Sequence, residues 1–101
     1  MLTLLLSCNG GPVDCQELIG IEKDQCLRAE IQTLPATELS GVIERASQIE
    51  DFVIRGATIS AWVEDHNHEI NPQDGFPLCQ LLNGKDLSRC QKLLLAAHLR
   101  D

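Results

Sequence analysis

The sequence predicts an all-α fold, a small disulfide-stabilised helical bundle. Three observations indicate it: apolar residues recur at helical spacing, no alternating strand pattern extends beyond a few residues, and four of the five cysteines fall into two equally spaced pairs. The chain has 101 residues, which is enough for one domain with a modest core. Covalent cross-links would therefore add stability that so small a core does not supply alone.

Three segments are expected along the chain. Residues 1–7 are interpreted as a signal-peptide remnant, and residues 8–14 as a flexible tether that contains Asn-Gly-Gly-Pro. Residues 15–101 are predicted to form a single helical domain. This domain contains two C-x10-C modules, at residues 15–31 and 79–95.

The N-terminal segment carries the signature of a processing site. The stretch LLSC, which ends at Cys8, resembles the lipobox of bacterial lipoproteins, where a small residue precedes a cysteine that is exposed by cleavage and acylated. The resemblance covers four residues and implies a lipid anchor on Cys8 that holds the chain to a membrane, on the periplasmic side of the cell envelope, with the outer membrane favoured. A signal peptide begins with basic residues, so we expect the frame to begin upstream of Met1 or to be truncated. The alternative is a frayed apolar N-terminus in which Cys8 is an ordinary thiol.

The other four cysteines belong to a repeated module. The segments Cys15–Cys26 and Cys79–Cys90 share glycine at the same offset, Gly20 and Gly84. A straight helix would hold the two cysteines of a module roughly 16 Å apart, whereas a disulfide needs Cα atoms within roughly 7 Å. We therefore expect a short helix, a glycine C-cap that ends it, and a second helix that carries the second cysteine.

This hairpin geometry favours a local disulfide in each module, Cys15 with Cys26 and Cys79 with Cys90. An alternative pairing, Cys15–Cys90 with Cys26–Cys79, would staple two antiparallel helices, and it resembles the twin C-x9-C helical hairpins of the mitochondrial intermembrane space. Four reduced and buried thiols are a further alternative. Zinc is less suitable, because structural zinc sites use more closely spaced cysteine pairs.

The middle of the chain carries the strongest helical pattern, and Pro35 lies in its first turn. Residues 36–64 are expected to form one long helix, or two helices that break near Ser47, where Ser47 and Glu50 match a capping box. The small residues of its second half, Gly56 to Ala61, would let another helix approach closely. The stripe of period near 3.6 consists of Leu39, Val42, Ile43, Ala46, Ile49, Val53, Gly56, Ala57 and Ser60.

Polar residues end this pattern and predict a loop over residues 65–74, with a last helix after Asp86. The loop contains His66 and His68, which are flanked by carboxylates. Since imidazole and carboxylate groups bind divalent metals, these histidines are the candidates for a metal site, and a solvated polar linker is the alternative. Trp62 precedes the loop and is expected to cap the core or to anchor a partner.

The net charge and the motifs of the chain narrow the range of possible functions. The net charge of −7 argues against nucleic acid as a partner, because the phosphate backbone is itself anionic. The chain has no G-x-S-x-G motif and no phosphate-binding loop, so no enzymatic activity and no cofactor are expected. We expect a small cell-envelope lipoprotein that acts as a non-catalytic protein-interaction or structural module. The alternative is a periplasmic metal- or ligand-binding protein that uses the His66 and His68 loop.

Overall fold

The computed structural model describes residues 14–99, and all regular structure in this range is helical. The predicted all-α bundle is therefore confirmed. None of the helices in this range combines the length and the apolar composition that crossing a membrane requires. The α-helices are α1 (Gly20–Gln32), α2 (Leu39–Gln48), α3 (Phe52–His66), α4 (Pro72–Cys79) and α5 (Gly84–Leu99). Short 3-10 turns are formed by Cys15–Glu17, Ala36–Glu38 and Asn67–Glu69.

Both disulfides close within a module. Cys15 is bonded to Cys26 and Cys79 to Cys90, and the Cα atoms are 5.5 Å apart in each pair. The second cysteine of each module lies on the second helix, α1 or α5, as the sequence predicts. The chain therefore reverses direction inside each module, which a straight helix would not do.

The glycine of each module differs from its predicted role as a C-cap. Gly20 and Gly84 each begin the second helix, so α5 starts at Gly84 rather than after Asp86. Both have positive φ, 62° and 55°, a conformation that costs residues with a side chain roughly 1–2 kcal/mol. A Cβ added at either position would meet nothing within 4 Å. Backbone conformation, rather than crowding, accounts for glycine at both turns.

The middle segment forms two helices, α2 and α3, and the capping box predicted at Ser47 is wrong. Ser47 lies inside α2, where its hydroxyl donates to the Glu44 carbonyl oxygen at 2.7 Å. Asp51 is the N-cap of α3 instead. Its carboxylate accepts hydrogen bonds from the second and third backbone N–H groups of that helix, at 2.9 and 3.0 Å. An aspartate at this position satisfies donors that a helix start otherwise leaves unpaired.

A buried carboxylate on α1 holds the chain at this break. Asp24 is 2% exposed, and its two oxygens accept hydrogen bonds from the backbone N–H groups of Glu50 and Asp51, each at 3.0 Å. The bonds join α1 to the α2–α3 corner over sequence separations of 26 and 27 residues. Because both contacts are distant in sequence, the local helical pattern does not reveal where the break falls.

The loop predicted over residues 65–74 is partly wrong. A 3-10 turn follows the end of α3, and α4 already begins at Pro72, where a missing N–H removes no helical bond. Asn71 caps this helix by accepting from the Gln73 N–H at 2.9 Å. Gly75 lies inside α4, where a Cβ would come within 2.7 Å of Leu94 on α5. Glycine at this position therefore allows α4 and α5 to pack closely.

The core is built around α3, which packs against both α1 and α5, while α2 packs against α1 and α4. The predicted apolar stripe is wrong at Val53 and Ala57, which are exposed, whereas Gly56 is buried and Ser60 is partly buried. The stripe assumes one helical register from α2 into α3, and the break over residues 49–51 resets the helical phase. The face of α3 that is buried consists of Gly56, Thr58, Ile59, Trp62 and Val63.

Replacing Asp24 by alanine should lower the free energy of unfolding by about 2–4 kcal/mol, because two partly buried backbone donors lose a charged acceptor. Urea denaturation followed by circular dichroism measures the change. Asp65→Ala is the control, since Asp65 is an exposed residue in the last turn of α3, and its effect should stay within about 0.5 kcal/mol. Equal effects of the two substitutions would contradict the role given to Asp24.

Candidate interaction surface

The cysteines of the described residues all take part in disulfides, so residues 14–99 contain no free thiol. Cys8, the predicted lipidation site, lies outside the described residues. The same holds for the signal-peptide segment and for all of the predicted tether except Asp14.

The two histidines of the predicted metal loop have different surroundings. The ring of His66 is half-buried and stacks on Trp62, with centroids 4.4 Å apart and planes 22° apart. Its Nδ1 atom lies 2.9 Å from the Trp62 carbonyl oxygen. His68 is exposed in the following 3-10 turn. Nowhere between residues 14 and 99 do three or more His, Cys, Asp or Glu side chains form a group that could hold a metal ion.

Trp62 is a core residue and not a surface anchor. Its side chain is 3% exposed, and the indole N–H donates to the Leu34 carbonyl oxygen at 2.9 Å. This bond connects α3 to the segment between α1 and α2. A buried indole usually finds such a partner, so the structure supports the core-capping interpretation of Trp62 over the interface interpretation.

An exposed apolar corner lies at the start of α3. Phe52 is 72% exposed and Val53 is 64% exposed, and we call these two residues the Phe52 corner. Phe52 precedes Gly56 by four residues and Ile59 by seven, so it continues the buried face of α3 beyond the elements that cover this face. The corner is thus an uncovered end of the core.

The backbone at the Phe52 corner is held from both sides. The Asp51 carboxylate binds the N–H groups of Val53 and Ile54, and Asp24 binds the N–H groups just before the helix. These bonds fix the backbone of the first turn of α3, to which both side chains are attached. One of the two carboxylates, Asp24, lies on another helix, α1.

Two recesses flank Phe52 and share Asp86 on α5 as a wall. The larger, which we call the α3–α5 groove, has a volume of about 320 Å³, and the smaller has about 210 Å³. The groove is lined by Phe52, Val53, Gly56, Ala57, Ser60, Asp86 and Arg89. The smaller recess is lined by Phe52, Arg55, Leu81, Leu82, Asn83 and Asp86.

The small residues of α3 give the groove its depth. A Cβ at Gly56 would lie 3.4 Å from Asp86 Oδ2, an ordinary contact with a side chain of α5. Gly56 is buried beside α5, so one residue of the predicted small-residue stripe does face another helix. Ala57 and Ala61, which belong to the same stripe, are exposed instead of packed.

The α5 wall of the groove is charged. Arg89 Nη2 lies 2.9 Å from Glu64 Oε1, and the two side chains are 65% and 47% exposed. An ion pair this exposed contributes roughly 0–1 kcal/mol, so its charges are available to a partner at little cost. The surface thus combines an apolar corner with a polar, charged rim, which is the usual composition of a protein–protein interface.

The Phe52 corner was not predicted from the sequence. If residues 36–64 formed one continuous helix, Phe52 would lie outside the face that carries the apolar stripe. The available signal was Asp51, an aspartate directly before an apolar run and therefore a candidate N-cap. Even with that signal, the exposure of Phe52 depends on which helices cover α3.

Comparison of the chain with models of known protein families, with curated proteins and with solved structures finds no match in any of the three. Two features of the chain bear most directly on its function, the LLSC signature at Cys8 and the Phe52 corner with its adjoining groove.

Zinc titration should give binding no tighter than micromolar, because His66 is stacked on Trp62 and its Nδ1 contacts a backbone carbonyl. Isothermal titration calorimetry on the oxidised chain measures the affinity. His66→Ala should instead reduce stability, since it removes a packing partner of Trp62, while His68→Ala should have little effect on stability. Submicromolar zinc binding that both substitutions abolish would restore the metal-site hypothesis.

Proposed function

We propose that the protein is a small cell-envelope lipoprotein that acts as a non-catalytic protein-interaction module. In this proposal a lipid on Cys8 holds the domain on the periplasmic side of a membrane, with the outer membrane favoured. The partner is a protein that binds the Phe52 corner. The observation that carries the proposal is the exposure of an aromatic and a β-branched side chain on a backbone held by four hydrogen bonds.

The Phe52 corner suits protein recognition for an energetic reason. Covering an exposed aromatic ring removes a large apolar area from water, and aromatic residues are enriched at the centres of interfaces. A corner already held in its exposed conformation loses little conformational freedom on binding. The partner surface therefore needs an apolar pocket for Phe52 and polar groups that face Asp86 and Arg89.

The position at which the predicted tether, residues 8–14, joins the domain supports the anchor proposal. Six residues lead from Cys8 to Asp14, a reach of at most about 21 Å when fully extended. Asp14 is followed directly by Cys15, which is bonded to Cys26 on α1. A force applied through the tether would therefore reach α1 through a covalent bond. An anchor of this kind would keep the domain near the membrane surface and raise its effective concentration there.

The interaction proposal is tested by placing the photoreactive amino acid p-benzoylphenylalanine at position 52 in cells that make the protein. We expect one discrete cross-linked protein, because the replacement preserves an aromatic side chain at the centre of the surface. Adding Val53→Asp should remove the adduct, since a charge would then enter the apolar contact. The same photoreactive group at Ile19, which is 82% exposed, is the control for random collisions.

An adduct that forms equally at positions 19 and 52, or that persists with Val53→Asp, would contradict the proposed surface. The substitution should not unfold the domain, because Val53 is largely exposed. Its free energy of unfolding should change by no more than about 0.5 kcal/mol. A larger loss would show that the corner belongs to the core.

The anchor is tested by fractionating cells that produce the Cys8→Ser chain. We expect the protein to move from the membrane fraction to the soluble fraction, because serine has no thiol to acylate. Ser7→Ala is the matched control, since it keeps a small residue before the cysteine, and its product should stay in the membrane fraction. An unchanged distribution of Cys8→Ser would contradict the anchor and leave the Phe52 corner untouched.

A further inference from the structure

The helix α5 has the opposite charge balance from the rest of the domain. Between residues 14 and 83 the sequence contains 13 acidic and four basic residues. In α5 the basic residues Lys85, Arg89 and Lys92 outnumber the single acidic residue Asp86. In a domain that repels anions over most of its surface, α5 is thus a helix on which cations outnumber acidic residues.

These cations lie on one face of α5. Lys85, Arg89 and Lys92 follow one another at spacings of four and three residues, which aligns them along a helix, and all three are exposed. Of the three, only Arg89 forms an ion pair within the described residues. The opposite face, with Cys90, Leu94 and Ala97, is buried. We call the exposed side, with Lys85, Ser88, Arg89, Lys92, Leu95 and Ala96, the α5 face.

The α5 face changes character along the helix. The three cations extend from Lys85 to Lys92, and beyond them lie Leu95, which is 45% exposed, and the partly buried Ala96. The apolar side of α5 is buried in the core, so on the exposed side the cations can meet headgroup phosphates and, within residues 84–97, Leu95 is the one large aliphatic side chain that can meet the acyl region.

We propose that the α5 face binds the surface of a membrane that contains anionic phospholipids. Each lysine or arginine near such a surface raises the partition coefficient by about fivefold. The acidic residues elsewhere weaken the attraction only when they lie within a Debye length, about 10 Å at 0.1 M salt. Glu64, which pairs with Arg89, and Asp86, next to Lys85, do lie within that distance, so the three cations exceed the acidic residues at the contact by one charge.

This inference goes beyond the interaction module and does not require the lipid on Cys8. Arg89 belongs to both surfaces, because it also lines the α3–α5 groove. Lys85 and Lys92 do not line that groove and therefore test the α5 face alone. The Cys8→Ser chain has no thiol to acylate at this position, so its binding to vesicles does not depend on the lipid anchor. An incorrect anchor proposal and an incorrect α5 proposal therefore give different results.

The test is flotation of the 101-residue Cys8→Ser chain with vesicles of phosphatidylglycerol and phosphatidylcholine in equal parts. We expect binding to these vesicles that weakens as sodium chloride is added, and much weaker binding to vesicles of phosphatidylcholine alone. Lys85→Glu with Lys92→Glu should lower the partition coefficient at least about 25-fold, the effect of losing two cations. Leu95→Ser should weaken binding several-fold, because the aliphatic half of the face loses its largest exposed side chain.

The control reverses the same number of charges on another helix. Lys23→Glu with Arg28→Glu on α1 gives the same net charge, and binding should stay within about threefold of the parent chain, since neither residue belongs to the face. Fluorescence of Trp62, the only tryptophan, verifies that each variant keeps its core. Three results would overturn the proposal. They are an equal loss of vesicle binding in the α1 and α5 variants, no binding to the anionic vesicles, and binding of a polyglutamate peptide that is as tight as binding to those vesicles.

Discussion

The two short disulfide loops are the constraint on which the rest of the structure depends. Each bond joins cysteines 11 residues apart in sequence and brings their Cα atoms to 5.5 Å. A straight helix would hold the same residues roughly 16 Å apart, so the chain must reverse in between. It does so at a positive-φ glycine, Gly20 or Gly84. Loops of this size contribute about 3 kcal/mol each, a large share for a domain stable by roughly 5–15 kcal/mol.

The two loops supply the two helices that pack against α3. The first module directs α1, and the second joins α4 to α5, so that α3 lies in contact with one helix from each. Asp24 lies two residues before Cys26, and its carboxylate holds the corner where α3 begins. The disulfide positions α1, and Asp24 on α1 in turn fixes the backbone at the point where α3 begins.

The two proposed surfaces are the Phe52 corner and the α5 face, and they would bind their partners through different interactions. The Phe52 corner offers apolar area beside a groove with a polar rim, as protein recognition requires. The α5 face offers cations in a domain that is otherwise strongly acidic, as an anionic surface requires. Arg89 connects them, since it pairs with Glu64 on α3 and also belongs to the row of cations on α5. Because Arg89 also lines the groove beside Phe52, a membrane at the α5 face and a partner in the groove would compete for this residue.

The sequence by itself determined the features that depend on neighbouring residues. Helical periodicity indicated the fold class, and the equal spacing of two cysteine pairs with a shared glycine indicated the local disulfides. Only the tertiary structure decided the end of α2, the register of α3 and the burial of its faces. The physical reason is that these depend on contacts distant in sequence: Asp24 binds N–H groups 26 and 27 residues away, and Trp62 donates to a carbonyl 28 residues away. Phe52 is exposed because no helix within residues 14–99 covers the first turn of α3, and that information is not contained in any local stretch of the chain.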